Sequence, residues 1–245
     1  MNWKLILFVV FAFVFVAILA MVQMATNLSF GIIVLPQFAP LLAYILIVII
    51  FKDLYIPITI QFNKNILLKA IIAIILPLGL FTISHFIGKL MGNNVKIPDN
   101  VFSILIVGII GMIIGATAEE IGWRSFLQPK LEQKHSIFVS SLIVGIIWGI
   151  WHIGHFMNGI IFMLGFLIFT ISVSMVMMFL LKNTRHNIII SGLFHFSINV
   201  GFGIYFTEGF ENTKLFLINC SVWFIMALII IICCKKYYFI KEKDI

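Results

Sequence analysis

Polar residues enter this 245-residue chain in short clusters, and between the clusters run eight stretches of almost unbroken apolar sequence. The stretches cover approximately 5–25, 30–51, 66–88, 101–127, 136–157, 160–181, 188–206 and 215–234. Each reaches the ~17 residues that a helix needs to cross a bilayer, where only helices and closed barrels satisfy their own backbone groups. The pattern predicts an all-α protein, a polytopic transmembrane helical bundle of about eight spans. The first stretch continues to about Ala25, longer than the roughly 7–15 apolar residues of a secretory signal, and is expected to be an uncleaved span. Pro36 and Pro40 are expected to kink the second span, and Pro129 to end the fourth. The outer connections, residues 92–100 and 207–214, carry turn residues or charge; the latter contains Glu208 and Glu211.

Composition agrees with this pattern and sharpens it. The chain is 62% hydrophobic and 10% charged, with a mean hydropathy of +1.19; soluble domains carry about 25% charged residues. No stretch is polar and long enough for a separate soluble domain, so residues 1–245 read as a single membrane domain. The net charge of +7 is not a nucleic-acid footprint, because the basic residues are sorted by side. Thirteen of the sixteen Lys and Arg fall on the side of the termini and even-numbered connections, twelve without Arg124 of the fourth span, leaving only Lys89, Lys96 and Lys214 opposite. The positive-inside rule then places both termini in the cytoplasm and the chain in a cell membrane. An odd number of spans would scramble that asymmetry. Cys220, Cys233 and Cys234 offer no disulfide framework, and the last two would face a reducing compartment.

The fourth span breaks the apolar rule at Ala116-Thr-Ala-Glu119-Glu120-Ile-Gly-Trp-Arg124. Ionisable groups at membrane depth are costly, and they pair or line a cavity. Glu120 and Arg124 are i and i+4 in the favourable order for an ion pair. Glu119 lies about 100° round the helix and cannot share that pairing. One carboxylate is structural on this reading and the other is free for chemistry. Downstream, Trp148 to His155 places His152 and His155 on one face, with His155 the wetter of the two beside an outer turn. Gly149 and Gly154 should admit a neighbouring helix near His152. On span seven, His195 and Asn199 are i, i+4 and form a donor-rich patch. His195 lies roughly 10 Å along its span and His152 about 24 Å along its own from the same side, so an offset of the two spans is required for them to meet.

Each of these groups bears an uncompensated burial cost unless they meet. Together they supply what hydrolysis of a peptide bond needs. Glu119 can take a proton from water, and His152 can hold that water and shuttle the proton. His195 and Asn199 can donate to an oxyanion. Alternatively, Glu119, His152 and His195 can bind zinc, which also activates water. Two other classes use the same cluster: a non-catalytic immunity or peptide-binding membrane protein, and a proton-coupled transporter with Glu119 as carrier.

The triple motif, Glu119-Glu120-x-x-x-Arg124, an aromatic-x-x-x-His from Trp148 to His152, and His-x-x-x-Asn from His195 to Asn199, resembles the CPBP family. That family comprises CAAX prenyl endoproteases and bacteriocin-processing or self-immunity membrane proteins. Pro40 resembles a proline seen early in such proteins. The resemblance covers about residues 101–200, which it marks as the catalytic core. It implies an intramembrane endopeptidase, either glutamate-dependent or a metalloprotease. Glu119 would be the catalytic glutamate, His152 its partner on the water, and His195 with Asn199 the oxyanion site, supported by Glu120 and Arg124. Trp148 stands where Phe is commoner and is expected to pack. The implied partners are a peptide or membrane-protein substrate, prenylated or not, and the lipid bilayer; the Ile-, Phe-, Lys- and Asn-rich composition suggests a bacterial plasma membrane.

Overall fold

Helix starts in this chain are written as polar caps, and the computed structural model, which describes residues 2–93, 97, 101–206 and 212–240, uses them. Asn2 accepts from the Lys4 amide at the head of α1 (Trp3–Ala25). Asn63 does the same for Ile66 in α3 (Lys64–Leu90), and Ser136 for Val139 in α6 (Ile137–Trp151). Asn187 caps α8 (Ile188–Tyr205), and Asn212 caps α9 (Thr213–Cys233). Such side-chain acceptors satisfy amides that the first turn leaves orphaned. The remaining helices are α2 (Ala39–Ile50), α4 (Val101–Glu120), α5 (Gln128–Glu132), α7 (Ile160–Leu181) and α10 (Lys235–Phe239). Among the described residues, six helical stretches are long and apolar enough to cross a membrane: 3–25, 64–90, 106–132, 160–181, 188–205 and 213–233. Two shorter apolar ones, 35–50 and 137–151, complete the eight elements expected from the hydropathy pattern. The protein is an all-α polytopic bundle.

Three local expectations need correction. Pro36 and Pro40 do not kink a span. They sit in the first turns of a 3-10 turn (Leu35–Phe38) and of α2, where the missing N–H has no helical partner to lose. Pro129 does not end its helix, since it lies in the first turn of α5 and the chain stays helical to Glu132. The fifth span stops at Trp151, and residues Ile153–Asn158 form a 3-10 turn instead of further α-helix. Between α4 and α5 the chain winds as a π-helix over Ile121–Leu127, directly after the two glutamates. The outer connection 94–100, apart from Ile97, the loop with Glu208 and Glu211, and the tail with Lys241 and Lys243 lie outside the described residues.

α8 packs between α3 and α4, while α7 packs between α6 and α9. Close approach of helices depends on glycines. A Cβ on Gly145 would sit 2.7 Å from the Ile171 backbone of α7, and one on Gly192 would sit 2.7 Å from Thr117 Oγ1 of α4. An aromatic cluster of Phe81, Phe169, Phe202, Phe216 and Trp223 joins α3, α7, α8 and α9. Several contacts gather the basic segments on one face. Lys4 pairs with Asp53 at 2.7 Å, Phe239 stacks on Phe138, His186 bonds Glu132, and the Ile188 amide donates to the Thr59 carbonyl. The segment 55–63 thus lies over the α7–α8 connection, whose Thr184 and Asn187 are fully buried. α8 therefore starts beneath the surface, which supplies the offset that brings His195 level with Trp148.

Candidate active site

The two glutamates diverge as helical phase requires, but their partners differ from the simple expectation. Both are completely buried. Glu120 Oε2 lies 3.4 Å from Arg124 Nε, the expected i, i+4 pair. Its other oxygen, Oε1, accepts from His195 Nδ1 at 2.8 Å. Glu120 thus ties α8 to α4 as well as pairing along its own helix. Glu119 Oε1 accepts from Trp148 Nε1, while Oε2 has no hydrogen-bond partner among the described residues. Trp148 does more than the packing expected of it. Its indole N–H is the donor that holds Glu119, in keeping with the rule that a buried Trp finds a use for its polar atom. The Trp148 ring is also 5.5 Å from the Arg124 guanidinium and 5.3 Å from the His195 ring, so it touches parts of both the first and the third motif.

His152 terminates α6. Its Nδ1 lies 2.9 Å from the Trp148 carbonyl oxygen. A carbonyl can only accept, so Nδ1 carries the proton and Nε2 keeps its lone pair. The ring contacts Trp148, Trp151 and Phe166. His155 stacks on it in parallel, with centroids 5.7 Å apart and planes within 4°, and both rings are partly buried. The 3-10 turn after Trp151 folds it back over His152, on the outer side of that ring. Gly154 departs from expectation, since a Cβ there would meet nothing within 4 Å, whereas Gly149 does face Thr170 and Leu167 of α7. Asn199 lies one turn beyond His195 on α8, half-buried, and makes no side-chain hydrogen bond among the described residues.

Pro40 locks this assembly from the side of α2. A Cβ on Gly122 would come 2.4 Å from Pro40 Cβ and 2.6 Å from its carbonyl oxygen, so the π-helix and α2 touch backbone to ring. π turns recur at functional sites, and here one begins between the glutamates and Arg124. The sequence carries no clear signal for it. The expected zinc set is not drawn together in this geometry. Among the described residues, no three His, Cys, Asp or Glu side chains come together to hold a metal ion. The expected metalloprotease label is thus without support.

Residues 101–201 match the family of type II CAAX prenyl endopeptidases described as Rce1-like. That span opens with α4 and closes just past Asn199, so it holds every residue of the three motifs described above. These matches support a likeness to the CPBP family. CAAX prenyl protease 2 of Methanococcus maripaludis is 28% identical over 126 residues, covering 45% of this chain and 46% of the relative. Lysostaphin resistance protein A of Staphylococcus haemolyticus is 31% identical over 158 residues, 61% of this chain and 43% of the relative. Its Staphylococcus aureus counterpart is 27% identical over 176 residues, 69% and 42%. The chain spans under half the length of these curated relatives. The matched region is part of a multi-pass membrane protein, and its motif residues sit on α4, the π-helix, α6 and α8, with Trp148 between them.

Proposed function

We propose that this protein is a CPBP-type intramembrane endopeptidase that hydrolyses a peptide bond with water activated by Glu119. The observation that carries the reading is the unequal state of the two buried carboxylates. Neither Oε2 makes a full hydrogen bond among the described residues, but that of Glu120 faces Arg124 at 3.4 Å while its Oε1 accepts from His195. Glu119 has indole N–H groups beside it and no ion-pair partner among those residues, and the His152 ring against Trp148 offers a second acceptor. A water held by Glu119 Oε2 and His152 Nε2 is positioned to lose its proton to Glu119 as it attacks the carbonyl carbon. His195, protonated on both nitrogens, donates Nδ1–H to Glu120 and Nε2–H to the developing oxyanion. Asn199 supplies a second donor from its side-chain amide. Glu119 then returns the proton to the leaving amine as the C–N bond breaks. Glu120 and Arg124 position His195 and the helix, and take no proton.

The substrate class is a peptide segment of a membrane-associated protein. A prenylated C-terminus is the chemistry suggested by the name of the Methanococcus relative, and an unprenylated membrane peptide is the alternative. The longer matches to lysostaphin resistance proteins favour a second reading, protection of the cell without cleavage. Glu119→Gln separates them. Purified protein in detergent is assayed for cleavage of membrane-derived peptides by mass spectrometry, alongside thermal melting. Loss of cleavage at an unchanged melting temperature supports the endopeptidase. Full protective function of the Glu119→Gln variant in cells, with no cleavage by wild type, would establish the second reading instead.

A further inference from the structure

The proposed chemistry leaves unused a row of polar side chains that starts at the site and runs the other way. Glu120, Arg124, Gln128 and Glu132 recur every four residues, a spacing that keeps them along one side of the helical stretch. The first three are fully buried. At the site end, His195 bonds Glu120, which pairs with Arg124. At the basic face, Gln128 Nε2 donates to Glu132 Oε1 at 2.7 Å, and Glu132 Oε2 meets His186 Nε2 at 3.0 Å. The Glu132 and His186 side chains are each 20% exposed, the first in the row to reach solvent.

One break interrupts the row, between Arg124 and Gln128. Arg124 Nη1 and Nη2 and Gln128 Oε1 are all buried without a hydrogen-bond partner among the described residues. A cation's donors and an amide's acceptor thus stand one helical turn apart with neither bonded to the other. The walls of this region are polar enough to hold water. Ser141 Oγ of α6 accepts from Gln128 at 3.3 Å, Ser174 of α7 donates to the Ser141 carbonyl, and Met177 Sδ receives Arg124 Nε at 3.1 Å. Leaving a buried guanidinium half unsatisfied is expensive, and buried water with two to four polar partners is how folded proteins avoid that cost.

We propose that this row holds a file of bound water, bridging Arg124 to Gln128, through which the site exchanges water with the basic face. Glu132 and His186 form its mouth. The exchange role rests on the hydrolase reading, since each turnover consumes one water inside a buried site; the presence of the water does not. His186 reaches Glu132 from a left-handed backbone position (φ 56°) in the α7–α8 connection, so the mouth is built from two elements and does not depend on helix spacing alone.

The experiment is X-ray radiolytic labelling of the full-length protein in detergent, in which hydroxyl radicals made from bound water oxidise adjacent side chains. Met175, Met177 and Met178 lie on the same helix and are equally buried, yet only Met177 bonds Arg124. Met177 is expected to oxidise about fivefold faster than the other two, because only it borders bound water. Equal oxidation of the three methionines overturns the file, whatever the activity. In the same protein, Gln128→Leu and His186→Ala should lower kcat several-fold at unchanged KM, and Gln128→Leu should remove the excess labelling of Met177. Should Gln128→Leu fail to fold, His186→Ala at the mouth still reads the kcat effect. Unchanged kcat in a folded variant overturns the exchange role. Absence of any cleavage by wild type defeats the hydrolase reading while the labelling still decides the file.

Discussion

Exchanging the charges of Glu120 and Arg124 is the perturbation that best separates helix pairing from the three-way contact. On helix pairing alone, Glu120→Arg with Arg124→Glu restores an i, i+4 ion pair and should recover much of what either single change loses. The structure argues otherwise, because Glu120 also accepts from His195 at 2.8 Å. The exchange places a guanidinium against a ring nitrogen that needs an acceptor, and a carboxylate against the Met177 sulfur and the Trp148 ring face, both of which favour a cation. Removing one partner of a buried pair costs about 3–5 kcal/mol. At about 2–4 °C per kcal/mol for a chain of this size, Arg124→Ala should melt roughly 6–20 °C below wild type. The exchanged protein should melt no higher than Arg124→Ala. The assay is thermal unfolding in detergent, with the monodisperse fraction by gel filtration as a check. Recovery of the exchanged protein to within a few degrees of wild type would refute the argument that His195 fixes the polarity of the pair. Native stability of Arg124→Ala with no cleavage would move Arg124 into the chemistry.

Other consequences are simpler. Trp148→Phe keeps the ring but leaves Glu119 with no donor on Oε1; a hydrogen bond to a charged group is worth about 1.5–3 kcal/mol, so both melting temperature and kcat should fall. Gly122→Ala forces a methyl into Pro40 and should cost about 1–3 kcal/mol, whereas Gly154→Ala, which meets nothing, should melt like wild type. His155→Ala should reduce turnover less than His152→Ala but measurably, through loss of the parallel stack, and an unchanged rate would detach His155 from the site. The Lys4 ammonium bonded to Asp53 holds that exposed carboxyl below the usual range. Its folded value is lowered, so the contribution of the pair is present at neutral pH and lost as pH falls through the folded value; a pH titration of Asp53→Asn melting should converge on wild type in acid.

Why the sequence revealed some of this and not the rest follows from the range of each interaction. Span positions depend on runs of apolar residues, and the caps at Asn63, Ser136 and Asn187 act within three residues, so both are local and readable. The division between Glu119 and Glu120 is also local, a matter of helical phase, and the Glu120–Arg124 pair follows from it. The contacts that complete the site are not local. Trp148 is 29 residues from Glu119 and His195 is 75 from Glu120, and no spacing rule connects residues across helices. A buried Trp in the aromatic position of the second motif gives a hint that its N–H is used, because a Phe would serve for packing alone. The fold-back of His155 and the π turn depend on how α6 and α2 seat against α4, which no periodicity encodes. The four-residue repeat from Glu120 to Glu132 is legible in the sequence, yet it gains meaning only from His186, which a separate connection brings to its end. Chemistry in this chain is thus announced by short motifs and assembled by contacts between helices, so substitutions at Trp148 and His186 test the assembly where substitutions at Glu119 test only the announcement.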